Sequence, residues 1–210
     1  LLAAGVYVGS RPHSRQSLPP ELEEFWGPFI TSPTPTVLAV PTPLFFLFGD
    51  IAVRHGNVNS LEQTQGSEQF QNLQRLLKAE AVPVHPYTTI GESSAVAVLT
   101  RLLARVKPDP GLTFRRSHQM LWEDVRSNNV IFLGPVRYSS QSKHLPVEFD
   151  FVNAEGAIRN LRPRPGEAEL YKVVNADGPR RWEYAEAPCV LTRISGLRGY
   201  GEILLLTSQV

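Results

Sequence analysis

Three runs of this chain leave little freedom about what lies beside them. "PTVLAVP" at residues 35–41, "NNVIFLGP" at 128–135 and "GEILLLTS" at 201–208 are continuously apolar in their centres instead of alternating with polar residues. A strand of that kind must bury both faces, which is the habit of parallel sheets covered on each side by helices. Helical patterns stand where such a sheet needs them. In "SEQFQNLQRLLKAEA" the residues Phe70, Leu73, Leu76 and Leu77 recur at helical spacing. Behind Thr89, the residues Val96, Leu99, Leu102, Leu103 and Val106 do the same. Helix, strand, helix, strand is the arithmetic of βαβ units. The expected class is α/β: a three-layer Rossmann-like, mainly parallel sheet with an antiparallel hairpin region in the C-terminal third.

Local signals set the expected boundaries. "PPELEEFWGPF" opens a short helix behind Pro19 and Pro20, with Glu21, Glu23 and Glu24 near its positive end and Phe25, Trp26 and Phe29 turned inward. The first buried strand runs from Thr36 to Val40. Residues 49–66, polar and glycine-containing, read as a loop, and "VPVHPY" as a short extended piece. Thr89-Ile90-Gly91-Glu92 fits a capping box, and Lys107-Pro108 ends the helix behind it. "LTFRRS" reads as a strand. Ser117 is expected to cap a helix through Val125, with Met120, Leu121 and Val125 inward, and Asn128 and Asn129 to close it. After Pro146 the runs "VEFDFV", "AIRNL", "ELYKVV", "RWEYAEA" and "CVLTRI" alternate and read as antiparallel hairpins, after which "GEILLLTS" rejoins the main sheet. Residues 19–210 then form one α/β domain with an antiparallel embellishment at about 146–195.

Composition narrows the function classes. With 42% hydrophobic and 20% charged residues the 210-residue chain has an ordinary globular balance. A net charge of +1 makes no electrostatic case for nucleic acid or an acidic membrane surface. The single cysteine, Cys189, sits in the strand-like run "APCVLTRI" and reads as a buried structural thiol. The opening "LLAAGVYVG" is too short to span a bilayer, which takes about 20 residues. It reads either as the last third of a transmembrane helix, with Tyr7 at the interface and Arg11 and Arg15 flanking it, or as a first strand or frayed apolar start. In the first reading, residues 1–18 are the end of a membrane helix plus a Pro-rich linker, and the protein is anchored by a single pass whose orientation the sequence leaves open.

No catalytic signature appears. His13, His55, His85, His118 and His144 are scattered singly, without the i,i+4 pairing of a metal helix. Ser139, Ser140 and Ser142 lack the glycine frame of a nucleophile elbow. "GLRGYGE" precedes a strand where a phosphate cradle must follow one, so it reads as a tight turn. Glu123 and Asp124 occupy adjacent helical positions, point apart and read as solvated surface. What remains is sheet geometry: ligands of open α/β sheets bind outside the carboxyl ends of the strands. Three such ends lead to Thr42, Gly134 and the pair Thr207 and Ser208, and the capping-box helix adds Thr89 and Gly91 beside them. These small residues are the candidate ligand-binding set, suited to a carboxylate, a phosphate or a nucleotide. The competing reading is that glycine and proline merely end strands. No catalytic or metal-ligating residue is nominated.

The series "LPPELEEFWGPF", "PTVLAV", "YTTIGESSAV", "LWEDVRSNNVIFLGP", "GAIRNLRPRPGEAELY" and "ISGLRGYGEILLLTS" resembles an uncharacterised bacterial α/β domain of acidobacterial type, over about residues 19–210. In some proteins that domain follows a ToxR-type winged-helix DNA-binding domain. The resemblance implies a membrane-tethered sensory or small-ligand-binding module, the effector part of a transcriptional regulator. The winged helix is not part of the sequence, so direct nucleic-acid binding by this chain does not follow. A looser likeness, carried by one buried strand ending in a glycine turn, is to Rossmann-like nucleotide-sensing domains. The alternative it keeps open is an enzyme or sensor acting on a nucleotide or other phosphorylated small molecule at the strand ends. The partners expected are thus an anionic or nucleotide-like small molecule and a membrane.

Overall fold

A computed structural model describes residues 19–55, 58–107, 111–154, 157–175 and 184–208. The chain opens with helix α1, Pro20–Thr31, whose Pro20 stands in the first turn where its missing N–H costs nothing. Strand β1, Thr36–Val40, follows at the boundaries its sequence predicts. A local excursion comes next: β2, Phe45–Phe48, and β3, Ile51–Val53, form a hairpin, and helices α2, Leu61–Gln65, and α3, Glu68–Leu77, lead to β4, Val82–Val84. The long helix α4, Ile90–Val106, then returns the chain to β5, Leu112–Arg116. Helix α5, Trp122–Ser127, feeds β6, Asn129–Leu133, and a single turn, α6, Ser140–Lys143, stands behind it.

Among the described residues strands follow: β7, Phe151–Ala154; β8, Ala157–Asn160; β9, Leu170–Lys172; β10, Val174–Asn175; and β11, Tyr184–Glu186. Strands β12, Cys189–Ser195, and β13, Glu202–Ser208, close the described chain. The fold is thus mixed α/β. Its main sheet has five strands in the order β12-β13-β6-β1-β5. The pairs β1–β5, β1–β6 and β6–β13 are parallel, and β12 is an antiparallel edge. Three small antiparallel sheets accompany it: β3-β2-β4, β7-β8-β9 and β10-β11.

The apolar runs are explained by two cores on the two faces of the main sheet. Side chains alternate across a strand with a period of two. Val37, Ala39, Val130, Phe132, Ile203 and Leu205 point one way and pack with Met120, Val125 and Leu145. Leu38, Ile131, Leu133 and Leu204 point the other way and pack with Phe29 of α1 and with Leu99 and Leu103 of α4. Every residue of β6 is buried. A third cluster, Leu44, Phe46, Phe48, Val58 and Phe70, holds the excursion together, with the Phe46 and Phe70 rings 4.4 Å apart.

One buried amide fixes the register where the sheet begins. The Asn129 side chain donates to the Thr34 carbonyl at 2.8 Å and accepts from the Glu202 N–H at 2.9 Å, while its own N–H donates to the Pro35 carbonyl at 2.8 Å. It thereby ties the segments entering β1 and β13 to the first residue of β6. Behind it the "GLRGYG" segment is the tight turn expected: the Gly196 N–H reaches the Gly201 carbonyl at 3.0 Å. Gly201 has φ +68°, and a Cβ there would stand 2.6 Å from the Asn128 carbonyl, so the turn needs a glycine.

Several expectations are corrected. Residues 49–66 are not all loop, because β3 and α2 lie within them; β3 is only three residues long and largely exposed, and α2 is polar and buries nothing, so neither shows a periodic pattern. Ser117 does not cap a helix through Val125. Residues Ser117–Gln119 form a 3-10 turn, and the helix begins only at Trp122. Leu121, expected inward, is 65% exposed because it precedes that helix, and Leu76, expected in the buried stripe of α3, is 77% exposed. Cys189 is exposed, at the start of the edge strand β12, and not a buried thiol. Strand β12, assigned to the embellishment at 146–195, belongs to the main sheet. Among the described residues no helix is long and apolar enough to cross a membrane, and the membrane reading of residues 1–18 lies outside them.

Two stability outcomes follow. Replacing Asn129 by Leu leaves the Glu202 N–H without its acceptor and should cost about 2 kcal/mol or more in urea denaturation. In the capping box of α4, Thr89 accepts from the Glu92 N–H at 3.3 Å and the Glu92 carboxylate accepts from the Thr89 N–H at 2.7 Å. Thr89→Ala should therefore lower stability by about 1 kcal/mol in the same measurement.

Candidate functional site

The parallel strands β1, β5 and β6 share one carboxyl edge, and the small sheet β3-β2-β4 with α2 stands over it. Between them lies a cleft of about 590 Å³. Thr42 contributes from just past β1, His118 from just past β5, and Arg137, Tyr138 and Ser139 from just past β6. His85 comes from the end of β4, and Asn59, Ser60 and Glu62 from the α2 end of the cap. Leu44, Leu61 and Pro83 give it an apolar wall.

Hydroxyl groups clamp the strand ends at its floor. Ser117 Oγ donates to the Tyr138 carbonyl at 2.7 Å and accepts from the Thr42 N–H at 3.2 Å. One buried serine thus joins the exits of β5, β6 and β1. This is the work of Ser117 in place of helix capping. The hydroxyls of Ser139 and Ser142 are used locally in the turn of α6, with Ser139 accepting from the Ser142 N–H.

Two imidazoles lie on this floor. The His85 and His118 rings stack with centroids 3.8 Å apart and planes 8° from parallel. Both use Nδ1 on Thr42: His85 against its carbonyl at 2.8 Å, His118 against its hydroxyl at 2.7 Å. His118 is pushed below the ordinary imidazole range. The main cause is desolvation of the ring edge held against Thr42, and His85 and Arg116 add to it. Tyr138 is flanked by two guanidinium groups. Arg54 and Arg137 donate to its hydroxyl at 3.3 and 3.4 Å and lie over its ring. Burial pushes this phenol up, yet the hydrogen bonds and positive charge of the two arginines outweigh burial and lower it. Arg54 is itself held by the Val58 carbonyl at 2.9 Å and by Asn59 Oδ1 at 2.6 Å.

The predicted site residues divide. Thr42 is buried and lines the cleft. Gly134 stands at the end of β6, where its N–H donates to the Leu206 carbonyl at 2.9 Å. A Cβ there would lie 2.9 Å from Pro41 Cγ and 3.3 Å from Glu92 Oε1. What approaches this glycine is the protein's own proline and its own capping glutamate. Thr89 and Gly91 are exposed at the start of α4 and do not line the cleft; the Thr89 hydroxyl serves the capping box. Thr207 lines a smaller cavity of about 210 Å³ with Lys143, Phe149 and Thr192. Ser208 ends β13 opposite Cys189.

Sequence reasoning missed His85, His118, Arg54, Arg137 and Tyr138. The rule that found Thr42 and Gly134 also finds Ser117 and His118 when applied to the end of "LTFRR". The expected helix cap at Ser117 diverted it. Among the described residues no group of three or more His, Cys, Asp or Glu side chains is placed to hold a metal ion. No family model matches the chain, and neither the curated proteins nor the solved structures give a match.

Two outcomes test this geometry. Gly134→Val should lower stability by roughly 1–3 kcal/mol, because φ is +73° and the new Cβ meets Pro41; urea denaturation measures it. For His118, the folded chain binds a proton less readily than the unfolded chain. Its contribution to stability is therefore complete above the unfolded value of about 6.5 and declines as the pH falls through the lowered folded value. Its ring resonances should titrate below those of a histidine in a short peptide, and His118→Phe should flatten the acid side of the stability profile.

Proposed function

We propose that this chain is a small-ligand-binding sensory domain whose ligand is an anion held in the cleft at the carboxyl ends of β1, β5 and β6. The observation that carries the reading is the chemistry gathered there. His85, His118, His144, Arg137 and Lys143 line the cleft with the buried Thr42, and Glu62 is the one carboxylate among the lining residues described. Such a set offers hydrogen-bond donors and positive charge in a cavity of the size that small ligands occupy. On this reading Thr42 is a ligand residue, while Thr89, Gly91 and Gly134 support the edge on which the site is built, and Thr207 and Ser208 stand apart from it.

The same reading takes the fold as a Rossmann-like, three-layer sheet with its ligand at the carboxyl edge, as open α/β sheets use it. It also takes the apolar opening run with Arg11 and Arg15 as the end of a single membrane anchor, with the domain as the effector part of a transcriptional regulator. Recovery of the native protein in the soluble fraction would overturn the anchor. A second reading, an enzyme acting on a nucleotide or another phosphorylated small molecule, is favoured by one observation: the lowered Tyr138 hydroxyl between Arg54 and Arg137. Release of inorganic phosphate from such compounds, lost in Tyr138→Phe, would support it.

Thermal unfolding in the presence of phosphorylated sugars, nucleotides and carboxylates tests the binding function. A ligand at a hundred times its dissociation constant should add about 2.7 kcal/mol of stability. The gain should disappear in Arg137→Ala. Absence of stabilisation by every anion would overturn the proposal.

A further inference from the structure

We infer that the ligand is a phosphate monoester dianion, and that the stacked His85–His118 pair takes up one proton when it binds. The inference rests on the reading of the cleft as an anion site, and it begins with the hydrogen bonds of Thr42. A carbonyl oxygen only accepts, so the 2.8 Å contact between the Thr42 carbonyl and His85 requires a hydrogen on His85 Nδ1. The neutral ring then carries a lone pair on Nε2. The Thr42 hydroxyl lies 2.7 Å from His118 Nδ1 and 3.5 Å from Ser117 Oγ. Ser117 spends its own hydrogen on the Tyr138 carbonyl. The shorter contact assigns the Thr42 hydrogen to His118 Nδ1, which leaves His118 with its hydrogen on Nε2.

The neutral pair therefore presents one donor and one acceptor on the sides of the rings turned away from Thr42. An anion meeting that pair is attracted by His118 and repelled by the lone pair of His85. A single proton on His85 Nε2 turns the repelling atom into a second donor. A second proton is disfavoured, since it would place two cations 3.8 Å apart. The stacked geometry thus favours one proton shared by the pair over two.

The charges facing the pair set when that proton arrives. Arg116 at the end of β5 acts on His118, Arg137 behind β6 and Lys143 and His144 of the α6 turn line the same cleft, and Arg54 lies over Tyr138 beside it; Glu62 of α2 opposes them. This mainly positive surrounding resists a further positive charge and adds, through Arg116, to the burial that chiefly lowers His118. A bound dianion reverses the sign of the local field and draws the proton in.

The donor count selects the class of anion. The protonated pair, the guanidinium fork of Arg137 and the Lys143 ammonium offer more hydrogens than the two oxygens of a carboxylate absorb. A phosphate monoester supplies three terminal oxygens and carries nearly two charges above its second ionisation, at about pH 6. The cleft, at about 590 Å³, exceeds a bare phosphate and lies within the range for organic ligands, about 300–1,000 Å³. The organic body of the ester would lie against Leu44, Leu61 and Pro83.

Calorimetry with adenosine monophosphate and ribose 5-phosphate, in two buffers of different ionisation enthalpy, counts the proton. Between pH 7 and 9, where both probes are dianions, about one proton should be taken up per phosphate bound. Affinity should fall about tenfold per pH unit above the apparent value of the pair. His85→Phe, which keeps an aromatic ring in the stack, should bind more weakly and without uptake, and His118→Phe, which removes a donor but not the proton-accepting atom, should bind more weakly with uptake retained. Tyr138→Phe and His144→Gln should retain it. Binding by the native protein without proton uptake, or uptake that disappears in His144→Gln, overturns this inference and leaves the anion-binding reading standing. Stabilisation by citrate or acetate with no response to either phosphate overturns the ligand class alone. No response to any anion overturns both. The native protein's own uptake decides the question should a histidine variant fail to fold, which circular dichroism reports.

Discussion

Strand β6 has no wet face, and the rest of the molecule follows from the need to keep both of its sides dry. Five consecutive buried residues, Asn129 to Leu133, remove a large apolar area from water, at roughly 25 cal/mol per Å². They can do so only with neighbouring strands on both edges and cover on both faces. Strands β1 and β13 occupy the edges, α1 and α4 lie on one face, and α5 with Leu145 closes the other. The single polar member of the strand, Asn129, sits at its start and is satisfied by the backbone of both neighbours. Polarity there secures the register, because a slip of one residue would bury that amide without partners and exchange the two cores.

The same constraint places the chemistry. Parallel strands must all deliver the chain to one edge, so the exits of β1, β5 and β6 are forced together and their backbone groups need partners. Ser117 and Thr42 supply them. One hydroxyl satisfies the exits of all three strands, the other engages the His118 imidazole past β5, and the Thr42 carbonyl takes the His85 imidazole from the cap. The cap exists because the chain leaves β1 for a detour of hairpin and helices before α4 returns it. That detour carries Arg54 and His85 over the edge, where they meet Tyr138 and His118. The sheet provides the floor and the detour provides the polar walls.

This division explains what the sequence disclosed. Long apolar runs and a capping box are local signals with local causes, so β1, β6, β13 and the start of α4 were legible. Gly134 was legible as the end of a strand, although its cause is steric: Pro41 and Glu92 fill the space a side chain would need. Of the detour, α3 and the extended β4 were legible and the rest of the cap was not. Its strands are three or four residues long, its helix α2 buries nothing, and Phe46, Phe48 and Phe70 meet only in three dimensions. The histidine pair was invisible for the same reason, since residues 85 and 118 stack through contacts that no spacing announces.

Small residues at the strand ends therefore play a different part from the imidazoles, guanidinium groups and phenol gathered above them from the strand exits and the detour. The first are demanded by the sheet whatever the ligand, because crowded exits exclude bulk and require hydroxyls or glycine. The second are not demanded by the apolar cores. Nothing in the cores needs two stacked imidazoles on one threonine, or two guanidinium groups on one phenol. Placing cations close together under a cap costs electrostatic free energy, and among the described residues the ion pairs present lie elsewhere, between Arg162 and the carboxylates of Glu148 and Asp150. A cluster that the apolar cores do not require, and that charge repulsion opposes, is the part of this molecule on which the proposal of an anion site rests.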